Sequence, residues 1–458
     1  MVLKELNNIY FNNISYFKNN ILIRLILYFF TACLFFYFMQ TYSPLGINWT
    51  SYHYERVVNS IKNIFENTQL SSFGYTAWNE VDDVNRYLKE NFGSIYIIPM
   101  ITYIFPAILY KLFGNLEFLN YGNLIDYIFI SFTGILIAEI GILIISVRNN
   151  IDAIFYGVII FLLFMTSPWT YRMMLAPWHE VGFLGFYVLS IFNFIKNKNN
   201  LGLIFLFLSL SIHYIWGFLI FLFLVLIILI NFLYKGEFKY PLIFKYLPNS
   251  LQNFKGLIKY SCIFLISIGL NFISFLGLRF VGVNSNTLGN RGAIFRIGID
   301  NFNNIHHGGL LGSLQFLGGN RYSLCFNKDL DQLSGIENYI KIFNCSLSIT
   351  TLVIFSLLSI IGLFLLFKNN SQTKWIMQPI AWSFLFFNFV FQQSFAAHLQ
   401  GHSYIFGFLF SIGITYLFKY LSDFLKFSNL NNKLILLPLV SGVIINSIRV
   451  CYLTGING

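Results

Sequence analysis

Charge is what this chain has least of. Asp, Glu, Lys and Arg make up 10% of its 458 residues, against roughly a quarter in an ordinary soluble domain, so water is not the main solvent of the folded protein. Linkers are missing too. A soluble chain of this length would divide into roughly three domains, yet no Pro-, Gly- or Ser-rich stretch separates its apolar runs. A small-x-small cleavage site is absent after the first apolar run, residues 21–40, which has the length of a span and is expected to remain as the first helix. What is present is 57% hydrophobic and 20% aromatic residues, with a mean hydropathy of +0.67. The expected fold class is an all-α polytopic membrane protein, with residues 1–458 forming one membrane domain.

Acidic residues number 18 against 29 basic ones, a net charge of +11. The basic residues are scattered through short loops rather than clustered, which argues against a nucleic-acid partner and for loops held on the cytoplasmic side of a membrane. The surplus of Lys, Asn, Ile and Phe over Ala, Arg and Gly fits an AT-rich coding bias, so the Asn-rich loops carry little functional weight.

Apolar runs at residues 21–40, 94–113, 123–146, 151–167, 180–195, 201–234, 259–281, 346–367, 376–394, 402–421 and 432–451 are span candidates. The run 201–234 would measure about 51 Å as one helix, against a hydrocarbon core of about 30 Å. It is expected to split near Gly217 into a hairpin. The run 94–113 is interrupted by Pro99, Pro106 and Lys111, and each proline removes a helix hydrogen bond. If it lies along the outer surface instead of crossing, then Arg148, Lys196, Lys198 and the basic loop 235–259 all fall inside with Lys4, Lys18, Lys368, Lys374, Lys419, Lys426 and Lys433. That choice gives about eleven spans, a cytoplasmic amino terminus, and two long outer loops at residues 41–122 and 282–345.

The same arrangement sends most acidic residues and all seven histidines to the outer side, which is therefore the expected working face. In the first outer loop, Trp49, His53, Tyr54, Glu55 and Arg56 are followed by Trp78-Asn79-Glu80-Val81-Asp82-Asp83. Clustered carboxylates there suit a general base, or a divalent cation where oxygen ligands converge. The segment 167–180, SPWTYRMMLAPWHE, ends on His179-Glu180 at a span mouth. Its Trp169, Tyr171 and Trp178 read as interfacial anchors. Glu180 reads differently, because a carboxylate in the first turn of a membrane helix is costly without a partner or a task; stabilisation of the helix N-terminus is the plain alternative.

His306 and His307 precede two glycines in the second outer loop, with Arg321 beyond them. His398 and His402 are four apart, a spacing that aligns two imidazoles on one helical face, as zinc sites use. No third ligand follows at fixed spacing, so hydrogen bonding to phosphate or sugar hydroxyls is the preferred reading. His213 reads as an interfacial histidine. Cys325 and Cys345 share the outer loop, where an oxidising exterior permits a disulfide.

The order of these parts resembles the GT-C superfamily of polyprenyl-phosphate-sugar-dependent glycosyltransferases, which includes protein mannosyltransferases and lipid A aminoarabinose transferases. Residues 97–114, IIPMITYIFPAILYKLFG, look like the family's membrane-surface helix, Arg148 matches its basic inner turn, Pro168 its proline, and Glu180 its second acidic position. The resemblance covers roughly residues 21–234, with 235–458 as variable carboxyl-terminal spans. Where such families carry an Asp-Glu pair after the first span, this chain has His53, Tyr54 and Glu55.

The resemblance implies transfer of a sugar from a polyprenyl-phosphate donor to a glycan, lipid or protein acceptor, on the outer face of a bacterial inner membrane. Glu55, Asp82, Asp83 and Glu180 would be the catalytic carboxylates. His53, Arg56, His179, His306, His307, Arg321, His398 and His402 would hold substrate. Glu55 and Glu180 are expected to face one outer cavity, with His53 or His398 and one of Asp82 and Asp83, beneath a roof formed by residues 94–114. A lipid-linked polysaccharide polymerase or ligase shares the many spans and the large outer loop. A transporter is disfavoured, because only Asp126 and Glu139 lie clearly within spans, both on one helix.

Overall fold

A computed structural model describes residues 21–42, 112–113, 122–147, 149–175, 179–196, 198–235, 262–263, 265–267, 269, 315–319, 335–369, 374–390, 403–425 and 437–455. All the regular elements among them are helical: α1 (Ile21–Tyr42), α2 (Gly122–Ile144), α3 (Asn150–Met165), α4 (Pro168–Leu175), α5 (His179–Ile195), α6 (Asn199–Ile212), α7 (Tyr214–Lys235), a 3-10 turn (Gln315–Gly318), α8 (Gly335–Asn369), α9 (Lys374–Val390), α10 (Tyr404–Phe424) and α11 (Leu437–Gly455). Four helical stretches are long and apolar enough to cross a membrane: Ile21–Thr41, Asn123–Ile144, Ser346–Asn369 and Tyr404–Phe424. The bent pair α3 and α4 makes a fifth if it counts as one span. The proposed surface helix 94–111, most of the run 259–281 and most of both outer loops lie outside the described residues, as does Cys325 of the expected disulfide.

The first helix shows how a bundle forms without water to drive it. Tyr28, Ala32, Phe35 and Met39 are buried with Arg24, a stripe at helical spacing, while Leu22, Ile23, Ile26, Phe29, Phe30 and Tyr37 are exposed. Apolar contact with neighbours gains little over contact with lipid tails, so polar contacts and close packing must hold the stripe in place. Arg24 Nε and Nη2 donate to the two carboxylate oxygens of Glu139 at 2.8 and 2.7 Å, and Tyr28 Oη donates to Glu139 Oε1 at 3.1 Å. Further along, Tyr127 Oη donates to the Ala32 carbonyl at 2.6 Å. An early residue of α1 thus meets a late residue of α2, and a later one meets an earlier one, so the two helices run antiparallel.

A tight turn through Ser146, whose φ is 55°, reverses the chain into α3. Asn149 caps α3, accepting the Asp152 N–H at 2.7 Å. Gly134 lies under Phe161 and Phe164, and Gly141 under Ile160, which gives α2 and α3 an antiparallel register. Gly157 faces Tyr28 Oη so closely that a Cβ there would overlap it. At the far end of α3 the chain bends by 54° into α4. Pro168 cannot continue the hydrogen-bond ladder, and Ser167 Oγ accepts the Thr170 N–H at 3.3 Å as a new helix cap.

That bend corrects one expectation from the sequence. Trp169 and Tyr171 are not membrane-interface anchors; both are buried. Trp169 Nε1 donates to the Phe316 carbonyl at 2.8 Å, and its ring packs against Phe406 and Phe410 at 4.9 and 5.0 Å. The turn into α4 carries the indole into the bundle, where the 3-10 turn supplies its hydrogen-bond partner.

Helices α5 and α6 form a second antiparallel hairpin fastened by serines: Ser190 Oγ donates to the Gly202 carbonyl at 2.9 Å and Ser209 Oγ to the Phe183 carbonyl at 2.8 Å. The long run after residue 201 breaks, as its length requires, but at His213 rather than Gly217. His213 has φ −139° and ψ 85°, outside the helical region. Gly217 is what lets the chain double back there. A Cβ on it would lie 3.5 Å from Leu210 Cα, whereas seven residues of straight helix span about 10.5 Å.

The central helix is α10, which is buried almost all round. It runs antiparallel to α3, since Tyr404 at its start packs near Phe164 at the end of α3, while Ile412, further along, lies with the earlier Ile160 over Gly141. Against α8 it makes the closest approach among the described residues that lack a side chain: a Cβ on Gly362 would overlap the Gly413 carbonyl oxygen, and one on Gly413 the Ser359 carbonyl. Ser359 Oγ also donates to the Phe410 carbonyl at 3.1 Å. Small residues that bring backbones together in this way are how membrane helices gain dispersion contacts.

Candidate functional site

The register of the second hairpin determines what meets at its open end. Ser190 pairs with Gly202 and Phe183 with Ser209, so the residue after α6, His213, falls opposite the first turn of α5. Glu180 stands in that turn. Its Oε1 lies 3.4 Å from His213 Nε2. Glu180 is 0% exposed and His213 4%, so both members of an ionisable pair are enclosed within the protein.

The surround is aromatic. Phe183, one turn beyond Glu180, meets the His213 ring edge-on at 6.2 Å, and Trp216 approaches the imidazole at 6.3 Å. Trp216 in turn contacts Phe387 and Phe384 of α9 at 5.0 and 6.4 Å. Phe384 touches Phe316 of the 3-10 turn and Phe406 of α10 at 5.0 and 5.5 Å. Five segments therefore converge here: the start of α5, the α6–α7 break, α9, the 3-10 turn and the start of α10.

Arg24 and Glu139 mark the opposite end. Gly185 of α5 lies on Phe129 and Thr133 of α2, and the Lys196 ammonium, just past the end of α5, feels the charge of Glu139. Helices α2 and α5 therefore run parallel, and two of the buried carboxylates, Glu139 and Glu180, belong to different ends of the bundle. The first is neutralised bidentately by a guanidinium, an arrangement that serves structure. The second faces an imidazole, a group whose charge changes near neutrality. A carboxylate beside an imidazole can share a proton, orient the ring and stabilise its protonated form.

Of the twelve residues expected from the sequence to form the site, Glu180 is the one whose side chain is described. His179 begins α5 beside it. Glu55, Asp82, Asp83, His53, Arg56, His306, His307, Arg321, His398 and His402 lie outside the described residues. Among the described residues no group of three or more His, Cys, Asp and Glu gathers as metal ligands would.

In sequence His213 reads as an interfacial residue; in the fold it is the partner of Glu180. The available signal was the hairpin itself: once 180–195 and 201–212 are paired antiparallel through a short turn, the residue after the second helix must return to the start of the first. The chain matches no protein-family model, and no curated protein matches it.

Proposed function

We propose that this chain is a membrane glycosyltransferase of the GT-C type, which moves a sugar from a polyprenyl-phosphate donor to a glycan, lipid or protein acceptor at the outer face of the membrane. The observation that supports the reading best is the Glu180–His213 pair. A carboxylate fully enclosed at the head of a membrane helix is costly, and ionisable groups retained in such places mark sites where protons or charged substrates are handled.

In this reading the acceptor hydroxyl oxygen attacks the anomeric carbon of the donor. The bond from that carbon to the phosphate oxygen breaks, and polyprenyl phosphate departs with its electron pair. The hydroxyl proton passes to a carboxylate, with Glu55, Asp82, Asp83 and Glu180 as the candidates. His213 stands behind Glu180 and holds it in place. Arg56, Arg321 or one of His53, His179, His306, His307, His398 and His402 offsets the charge that develops on the departing phosphate.

The reading is tested by reconstituting the purified protein in liposomes with radiolabelled polyprenyl-phosphate sugars and acceptor extracts. Glu55→Gln and Glu180→Gln should each lower transfer by about 10²–10⁴-fold while leaving insertion and expression unchanged. Full transfer by both variants would sink the proposal and favour a lipid-linked polysaccharide polymerase or ligase.

A further inference from the structure

Helix α9 turns a consistent stripe toward the bundle: Met377, Ile380, Ala381, Phe384 and Phe387 are buried, whereas Trp382, Phe389 and Val390 are exposed. The stripe ends on a polar residue. Asn388 is 0% exposed, one turn beyond Phe384 on the same face, and neither its Nδ2 nor its Oδ1 meets a hydrogen-bond partner among the described residues. The other buried polar side chain near it on this helix, Ser383, is satisfied by the Pro379 carbonyl at 2.6 Å. A carboxamide with both its donor and its acceptor unmatched costs folding free energy that an apolar side chain of similar size would not, and in a membrane helix water does not readily make up the loss.

Its position gives the cost a purpose. Asn388 adjoins Phe387, whose ring meets Trp216, and Trp216 meets His213 beside Glu180. The geometry points to Asn388 as a ligand-binding residue at the end of the bundle where α5 begins, in a subsite for a neutral, hydroxyl-bearing group, a sugar ring, on a wall of Trp216 and Phe384. Chemistry selects that class. A hydroxyl-bearing ring offers donors and acceptors side by side, which match Oδ1 and Nδ2 together, whereas a phosphate presents mainly acceptor oxygens and a negative charge that a neutral carboxamide does not offset. Aromatic rings offer apolar area to the C–H face of a pyranose. The inference deepens the glycosyltransferase reading and rests on it for the identity of the sugar as substrate, but the binding event stands apart from transfer.

The test uses the full chain in lipid nanodiscs, with thermal unfolding followed against a panel of methyl glycosides (glucoside, galactoside, mannoside and N-acetylglucosaminide) and against inorganic phosphate. At least one glycoside should raise the Tm of the unaltered protein saturably, while phosphate at the same concentration should not. Asn388→Leu should fold with a Tm at or above the starting value, because the unmatched amide is gone, and should weaken glycoside binding at least ten-fold. Asn388→Ala serves as the second variant if leucine does not fit. No glycoside response, a response to phosphate alone, or an undiminished response in both variants overturns the subsite. The transfer assay separates the two proposals. Undiminished glycoside binding in the Asn388 variants with transfer lost in Glu180→Gln removes the subsite alone; glycoside binding lost with Asn388 while Glu180→Gln transfers at full rate removes the transferase and keeps the subsite.

Discussion

Arg24 and Glu139 are 115 residues apart in sequence and joined by two parallel hydrogen bonds of 2.8 and 2.7 Å, both side chains being enclosed between α1 and α2. Removing one partner leaves the other as an uncompensated charge in a medium that solvates it poorly. Arg24→Ala or Glu139→Ala should each cost about 3–5 kcal/mol, whereas the paired apolar replacement Arg24→Met with Glu139→Leu should cost far less. A double-mutant cycle on thermal unfolding in detergent measures the difference; singles that add to the double would show the pair to be inert.

The antiparallel arrangement of α1 and α2 puts Tyr42 and Gly122 on one side of the membrane. If residues 94–113 lie along the outer surface, as the proposed topology has them, a cysteine at Lys111 belongs to that side and one at Arg148, beyond the end of α2, to the other. Impermeant thiol reagents applied to intact cells should label Lys111→Cys and spare Arg148→Cys. Equal labelling of both would refute the surface placement of 94–113 and the topology built upon it.

Among the described glycines some face backbone and others open space, and substitution should tell these apart. Gly362 and Gly413 face backbone across the α8–α10 crossing, so Gly413→Leu must push the helices apart and should lower the Tm by several degrees. At Gly442 of α11 an added Cβ meets nothing within 4 Å. Gly442→Ala should be neutral or stabilise by about 0.5–1 kcal/mol, since alanine favours helix over glycine. Thermal scans of the two variants side by side decide the matter, and equal losses would mean that close packing is not what distinguishes them.

At the other end of the bundle, His213→Leu leaves Glu180 enclosed without its imidazole. Its stability loss should exceed that of the double variant His213→Leu with Glu180→Leu, in which no charge remains to be compensated. A double variant less stable than His213→Leu alone would show that the imidazole does not compensate the carboxylate.

Much of this could be read from the sequence because apolar length is a strong signal. The run beginning at residue 201 had to break, being too long for one crossing, and it does break, at His213, four residues before Gly217, where the glycine supplies clearance. Glu180 could be singled out because an acidic residue at the head of an apolar helix is conspicuous. Its partner could not, since His213 looks ordinary until two helices are laid in register. Trp169 was misread for a related reason. Aromatic residues beside a proline commonly sit at the membrane interface, and only the direction of the bend after Ser167 reveals that this one turns inward. Asn388 gave no signal at all in a chain rich in asparagine.

The Gly362–Gly413 crossing has a mechanical consequence. Two helices whose main chains touch can neither slide nor rotate past one another without collision, so α8 and α10 act as a single rigid strut through the middle of the molecule. Flexing at the end where α5 begins must draw on joints whose hydrogen-bond ladders are already interrupted. The described residues include the Ser167–Pro168 bend, the His213 break and Pro379 within α9, and the first two flank the Glu180 carboxylate in the chain, one on each side.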